Sequence, residues 1–161
     1  MNVKFLFGII MASIGTFVVT AADAGDLSKD IFISKAWVQA MPPSQTTTAA
    51  YFTVINNSQK EAVLVSASSD IAATAEIHQM SDMKGMMNMA MVSNIHVPAM
   101  GKISLQPGGY HIMLINLKKP VKKGDMVALT LHFQDGTSII VNAEVKMQDA
   151  DDSSSMPGMV M

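Results

Sequence analysis

Two residue types are missing from this chain. It has no cysteine, and all eleven of its basic residues are lysine, so it has no arginine either. Without cysteine there can be no disulfide and no thiolate metal ligand, which excludes a blue-copper electron-transfer centre. Without arginine the usual bidentate reader of phosphate and guanine is gone. A net charge of −2 adds no electrostatic pull toward nucleic acid. No stretch holds a helical hydrophobic period for long, and no nucleophile–base pair or open carboxylate-bearing metal site stands out, so the sequence does not read as an enzyme.

The abundant residue is methionine, with sixteen copies against four histidines. The first residues read as a secretory signal peptide over 1–24. "MNVK" is followed by the uncharged apolar run "FLFGIIMASIGTFVV", then by small residues with Ala22 and Ala24 in an A-x-A pattern. The run is short for a membrane span of about 20 residues, and no cysteine follows it to carry a lipid. The expectation is a mature protein exported to an oxidising compartment, with no membrane span.

From residue 25 to 147 the chain reads as one all-β domain. Short runs rich in Val, Ile, Thr and aromatics follow one another: "IFISKAWVQA", "AAYFTVINN", "EAVLVSAS", "AEIHQM", "MNMAMV", "KISLQ", "HIMLINL", "MVALTLHF" and "TSIIVNAEVKM". Turn signals such as "MPPS", "NNSQ", "PGGY" and "QDG" separate most of them. This pattern predicts an antiparallel sandwich or barrel. Trp37 and Tyr51 are expected to pack inside it. Residues 148–161, "QDADDSSSMPGMVM", are acidic and serine-rich and read as a disordered tail.

Seven methionines fall between residues 80 and 100: Met80, Met83, Met86, Met87, Met89, Met91 and Met100. Methionine is normally a core filler. Here Ser81, Asp82, Lys84, Gly85 and Asn88 are interspersed, which suits an exposed hairpin better than a core strand. Two histidines each have a methionine two residues on, His78 with Met80 and His111 with Met113. On a strand, residues i and i+2 share a face, so each pair can present two donors together. Thioether and imidazole suit Cu(I), and a thioether needs no deprotonation to bind. Methionine also forms no disulfide, so such a site keeps its soft character in an oxidising space, although sulfoxide formation remains open to it. Taken singly, either histidine would be read as a satisfied core residue. His96 is expected in a loop or at the surface, and His132 in a structural or surface role.

These residues resemble the PCu(A)C family of periplasmic copper chaperones, which is associated with copper delivery to the CuA centre of cytochrome c oxidase. The resemblance runs from about Ala36 to Lys146 and includes "AWVQAMPP", "EIHQM", "PGGYHIMLINLKKPVKKGD" and "VALTLHF". The family motif is a His, ten residues, a Met, twenty-one residues, then His-x-Met. His78, Met89, His111 and Met113 match all three spacings. The resemblance implies that these four are the copper ligands and that the fold is a cupredoxin-like barrel or sandwich of Greek-key type. It implies a periplasmic Cu(I) carrier, monomeric, passing copper to a CuA domain or to another copper chaperone. Binding of Cu(II) stays open. A copper buffer or tolerance protein with no dedicated recipient is the alternative. The chain departs from the family in methionine density: Met83, Met86, Met87 and Met91 surround Met89 and could stand in for it. Participation by Met80, or by Met156, Met159 and Met161 in the tail, also stays open.

Overall fold

The structure is a computed structural model, and it describes residues 27–148. The expected signal peptide over 1–24 and the expected tail after Gln148 lie outside the described residues. After one 3-10 turn at Leu27–Lys29 come ten strands: β1 (Ile31–Gln39), β2 (Thr47–Asn56), β3 (Ala62–Ser69), β4 (Ala72–Met83), β5 (Met86–Met91), β6 (Ile95–Val97), β7 (Gly101–Ser104), β8 (Tyr110–Leu117), β9 (Met126–Phe133) and β10 (Ser138–Lys146). Nine of them correspond to the runs read from the sequence. The tenth, β6, has three residues, too few for a visible alternation, and it carries His96 at the surface.

All ten strands form one sheet in the order β5-β4-β8-β2-β1-β10-β9-β3-β6, with β7 also pairing β2. Only the β1–β10 pair is parallel. The sheet curls around one apolar cluster that draws Ile77 from β4, Ile112 and Leu114 from β8, Phe52 from β2, Leu64 from β3 and Leu131 from β9. Full burial of each such side chain contributes roughly 1.5–3 kcal/mol. Among the described residues no ladder joins the β5 end of the sheet to the β6 end, so the cupredoxin-like sandwich is not closed into a barrel.

One buried polar group ties the far end together. Asn56 is fully buried. Its Nδ2 donates to the carbonyls of Lys60, Val97 and Pro98 at 2.8, 3.2 and 3.2 Å. Its Oδ1 accepts from the backbone N–H and hydroxyl of Ser58. A buried amide is tolerated only when satisfied in this way.

Two local features shape the opposite end. Lys84 and Gly85 link β4 to β5, both with positive φ (58° and 81°). That is the two-residue I′ geometry matching strand twist, and glycine adopts it without strain. Asp82 Oδ1 accepts from the Gly85 N–H at 2.7 Å. The second feature is a bulge in β1 between Ser34 and Trp37, at Lys35 with φ 52°. It re-aims the strand so that Trp37 stands opposite Tyr51.

Candidate metal centre

Strands β4 and β8 each present two chemically different faces. Ile77, Ile112 and Leu114 point into the core, whereas His78, His111 and Met113 occupy the alternate positions and therefore the outer face. The register brings the two histidines together: His78 pairs directly with His111, and Glu76 with Met113. Their imidazole rings stack with centroids 5.8 Å apart. On the other side of β4, His78 pairs with Met91 and Met80 with Met89. Directly paired residues of an antiparallel ladder share a face. All four motif residues therefore lie on one face of the β5-β4-β8 sheet.

They are not equally close by register. His78 and His111 are immediate neighbours, and Met113 lies two residues along β8 from His111. Met89 is diagonal to His78, while Met91 stands directly across from it. The sequence motif singles out Met89, and the ladder gives Met91 the nearer backbone position.

Glu76, which the motif omits, contacts His78: its Oε2 lies 2.9 Å from His78 Nε2. A carboxylate accepts, so Nε2 carries the hydrogen and donates. The other ring nitrogen, Nδ1, points away from the carboxylate and is buried with no hydrogen-bond partner. A carboxylate holding one imidazole nitrogen so that the other faces a metal is a recurrent arrangement around metal-binding histidines. The signal was present in the sequence: Glu76 and His78 are i and i+2 on a strand and so share a face.

His111 is 4% exposed. Burial pushes its pKa below the ordinary histidine value of 6.5. The Gly109 carbonyl, 3.4 Å from Nδ1, opposes this, and the neighbouring His78 adds to the lowering. A buried neutral imidazole offers its lone pair without competition from a proton. Tyr51 walls the site, its ring centroid 6.2 Å from His111, with the Trp37 ring tilted against it at 4.6 Å. Tyr51 is buried, as expected of a residue that packs the barrel, and Trp37 is half-buried; both stand on the same side of the sheet as His111, beside the core cluster and not within it. Burial raises the Tyr51 phenol above its usual 10.0.

The remaining histidines stay apart. His96 pairs with Glu61 at 2.9 Å on the surface. His132 bonds the hydroxyls of Ser68 and Ser138 at 3.1 and 3.0 Å. Among the described residues no three His, Cys, Asp or Glu side chains cluster to hold a metal ion. The further side-chain donors beside the two histidines on this face include the methionine sulfurs of Met80, Met89, Met91 and Met113.

Residues 31–145 match the family model described as "Putative lipoprotein LpqE-like". A protein of Leifsonia xyli subsp. xyli described as a "putative lipoprotein" is 34% identical over 79% of this chain and 76% of its own length. The solution structure of the Cu(I) form of DR1885 from Deinococcus radiodurans is 38% identical, with a TM-score of 0.62, over 79% of this chain and 84% of that one. The copper-bound PCuAC domain of PmoF2 shares the fold at 20% identity, with a TM-score of 0.62, over 73% of this chain and 93% of that domain. The chain belongs to the LpqE-like family, and its resemblance to the PCuAC copper chaperones is borne out.

Proposed function

We propose that the protein binds Cu(I) as cargo through His78, Met89, His111 and Met113 and hands it to an exported copper-receiving protein, such as the CuA domain of cytochrome c oxidase. The observation that carries this reading is the direct pairing of His78 with His111, with both motif methionines on the same face. The chemistry agrees: two imidazole nitrogens and two thioethers form a soft donor set that favours Cu(I) over harder divalent ions. The 38%-identical neighbour was itself solved as a Cu(I) form.

The burial gradient suits transfer. His111 is buried and His78 partly so, while Met89 is 47% exposed. An incoming partner would displace the exposed sulfur first and the histidines last, so the ion need never be free. Export to the periplasm belongs to the same proposal. It is supported by the apolar leader with its A-x-A site and by the lipoprotein description of the relative. No helix among the described residues is long and apolar enough to cross a membrane.

The test is a transfer assay. Copper-loaded protein is mixed with apo CuA domain, the two are separated, and copper is measured on each. Movement to the CuA domain faster than copper supplied by a small chelator of equal affinity supports a chaperone. Tight binding with no transfer would favour the buffer reading.

A further inference from the structure

We propose that the outer half of the β4–β5 hairpin is a second soft-metal site, in which the thioethers of Met80, Met87 and Met89 hold a Cu(I) ion one step beyond His78. This rests on the reading of Cu(I) as cargo and assigns a loading point for it.

The backbone fixes which side chains meet. The Val92 N–H donates to the Ile77 carbonyl at 2.9 Å, which makes 77/92 a hydrogen-bonded rung. By alternation His78/Met91, Met80/Met89 and Asp82/Met87 are the non-hydrogen-bonded rungs, where Cα atoms stand only about 4.5 Å apart and side chains are closest. Met87 is two residues from Met89 on the same face and diagonal to Met80, at about 7–8 Å. Three unbranched side chains with three rotatable bonds each can close that gap around one ion.

The burial argues against a packing role. Met87 and Met89 are 57% and 47% exposed, Met80 is half-buried, and none of the three belongs to the core cluster. The one carboxylate on this face beyond Glu76 is Asp82, and its Oδ1 is engaged by the Gly85 N–H. The three proposed ligands are themselves neutral sulfurs, a set that selects Cu(I) against Zn(II) or Mg(II), and the second Asp82 oxygen, on the rung of Met87, leaves a negative charge beside the bound cation. Met89 belongs to both sites, on the Met80 rung and diagonal to His78. Met91, directly across from His78, supplies the sulfur that replaces Met89 when the outer site fills. The ladder thus offers a path of thioethers from the hairpin tip to the histidine pair.

The experiment is a Cu(I) titration of the full chain against a chromophoric Cu(I) chelator, with methionine methyl resonances followed by NMR. Three proteins are compared: wild type, Met80→Leu/Met87→Leu, and His78→Ala/His111→Ala. Wild type takes up a first equivalent and then a weaker second, and the Met80 and Met87 methyls shift with the second. In Met80→Leu/Met87→Leu the second equivalent is lost. The first stays within about twofold, because a volume-conserving swap on a solvent face costs little. In His78→Ala/His111→Ala the tight equivalent is lost and the weaker one stays. If Met80→Leu/Met87→Leu retains every equivalent, the second site is overturned and the copper reading stands. If it weakens the first equivalent about tenfold, the scale expected for a ligand's supporting group, the two methionines belong to the first site and the proposal is overturned. If wild type takes up no Cu(I), the copper reading fails first and the second site with it. An unchanged thermal melt of the leucine variant confirms that folding is intact.

Discussion

His78 donates from Nε2 to Glu76 Oε2 at 2.9 Å, and its other nitrogen, Nδ1, is buried with no partner. The same residue pairing recurs at His96 and Glu61, also at 2.9 Å, but there the side chains are 59% and 53% exposed against 14% and 33% at His78 and Glu76. The two pairs form an internal control. Glu76→Gln should weaken Cu(I) binding by about tenfold, the scale measured for lost supporting contacts to metal-binding histidines. Glu61→Gln should leave it unchanged. Chelator competition measures both. The 15N shifts of the His78 ring should report a mixed tautomer in Glu76→Gln alone, and equal losses for the two variants would remove Glu76 from the site.

Among single histidine substitutions, His111→Ala should lower Cu(I) affinity by two or more orders of magnitude, roughly 3 kcal/mol or more at 1.4 kcal/mol per tenfold. His96→Ala and His132→Ala should leave affinity at the wild-type value. A competition titration in which all three lose affinity alike would contradict the assignment.

The sulfur on β5 can be resolved by comparing Met89→Leu with Met91→Leu. The motif spacing predicts the greater loss of first-equivalent Cu(I) affinity for Met89→Leu, by several-fold. The ladder, with Met91 opposite His78, predicts that Met91 limits that loss. A Met89→Leu/Met91→Leu protein should therefore lose more than the sum of the single losses, as expected for groups that substitute for one another. Additive losses would show that the two sulfurs act independently.

Burial lowers the His111 pKa, so the folded protein takes up this proton less readily than the unfolded chain does. Above the ordinary value of 6.5 both states are neutral here and the native stability is whole. As pH falls below 6.5 the unfolded chain is protonated first, and stability is lost until pH has passed the lowered folded value. Urea midpoints of the copper-free protein should fall across that window. His111→Phe should reduce the slope there. An identical pH dependence in the two proteins would rule out His111 as a contributor.

Asn56 lies at the other end of the sandwich, and its replacement separates folding from binding. Asn56→Ala removes the amide's bonds to the carbonyls of Lys60, Val97 and Pro98 and the acceptor of the Ser58 N–H, while the Ser58 hydroxyl can still donate to the Lys60 carbonyl and the Pro98 carbonyl still accepts from the Gly101 N–H. The cost should be about 2–3 kcal/mol, read as a lower urea midpoint at unchanged slope. Cu(I) affinity at low temperature, where the variant is folded, should not change.

Much of this was legible before any coordinates. Alternation along "HIMLINL" marks β8, and the polar residues in "HQMSDMKGMMNMAM" mark an exposed hairpin, which the Lys84–Gly85 turn provides. What composition and spacing could not supply was register. Whether Met89 or Met91 faces His78 depends on a turn of two residues, and a turn one residue longer would change the pairing. The β1 bulge was hidden for a similar reason: one extra residue shifts Trp37 to the outer face, and no periodicity in "IFISKAWVQ" reveals where it sits. Strand β6 escaped through brevity. Glu76 falls outside the spacing motif, which counts only metal ligands, although its i, i+2 relation to His78 is visible in the sequence.

Strand alternation on β4 and β8 has a consequence for quality control. Ile77 and Ile112 face inward only if His78 and His111 face outward. A chain in which one of these strands slipped by one residue would turn that strand's histidine into the core and its isoleucine to the outer face in the same movement. Such a molecule could not hold its interior together, so it would be cleared as unfolded rather than persist as a well-folded carrier with a scrambled cargo face. Assembly of the histidine pair is thus proofread by the folding of the sandwich itself.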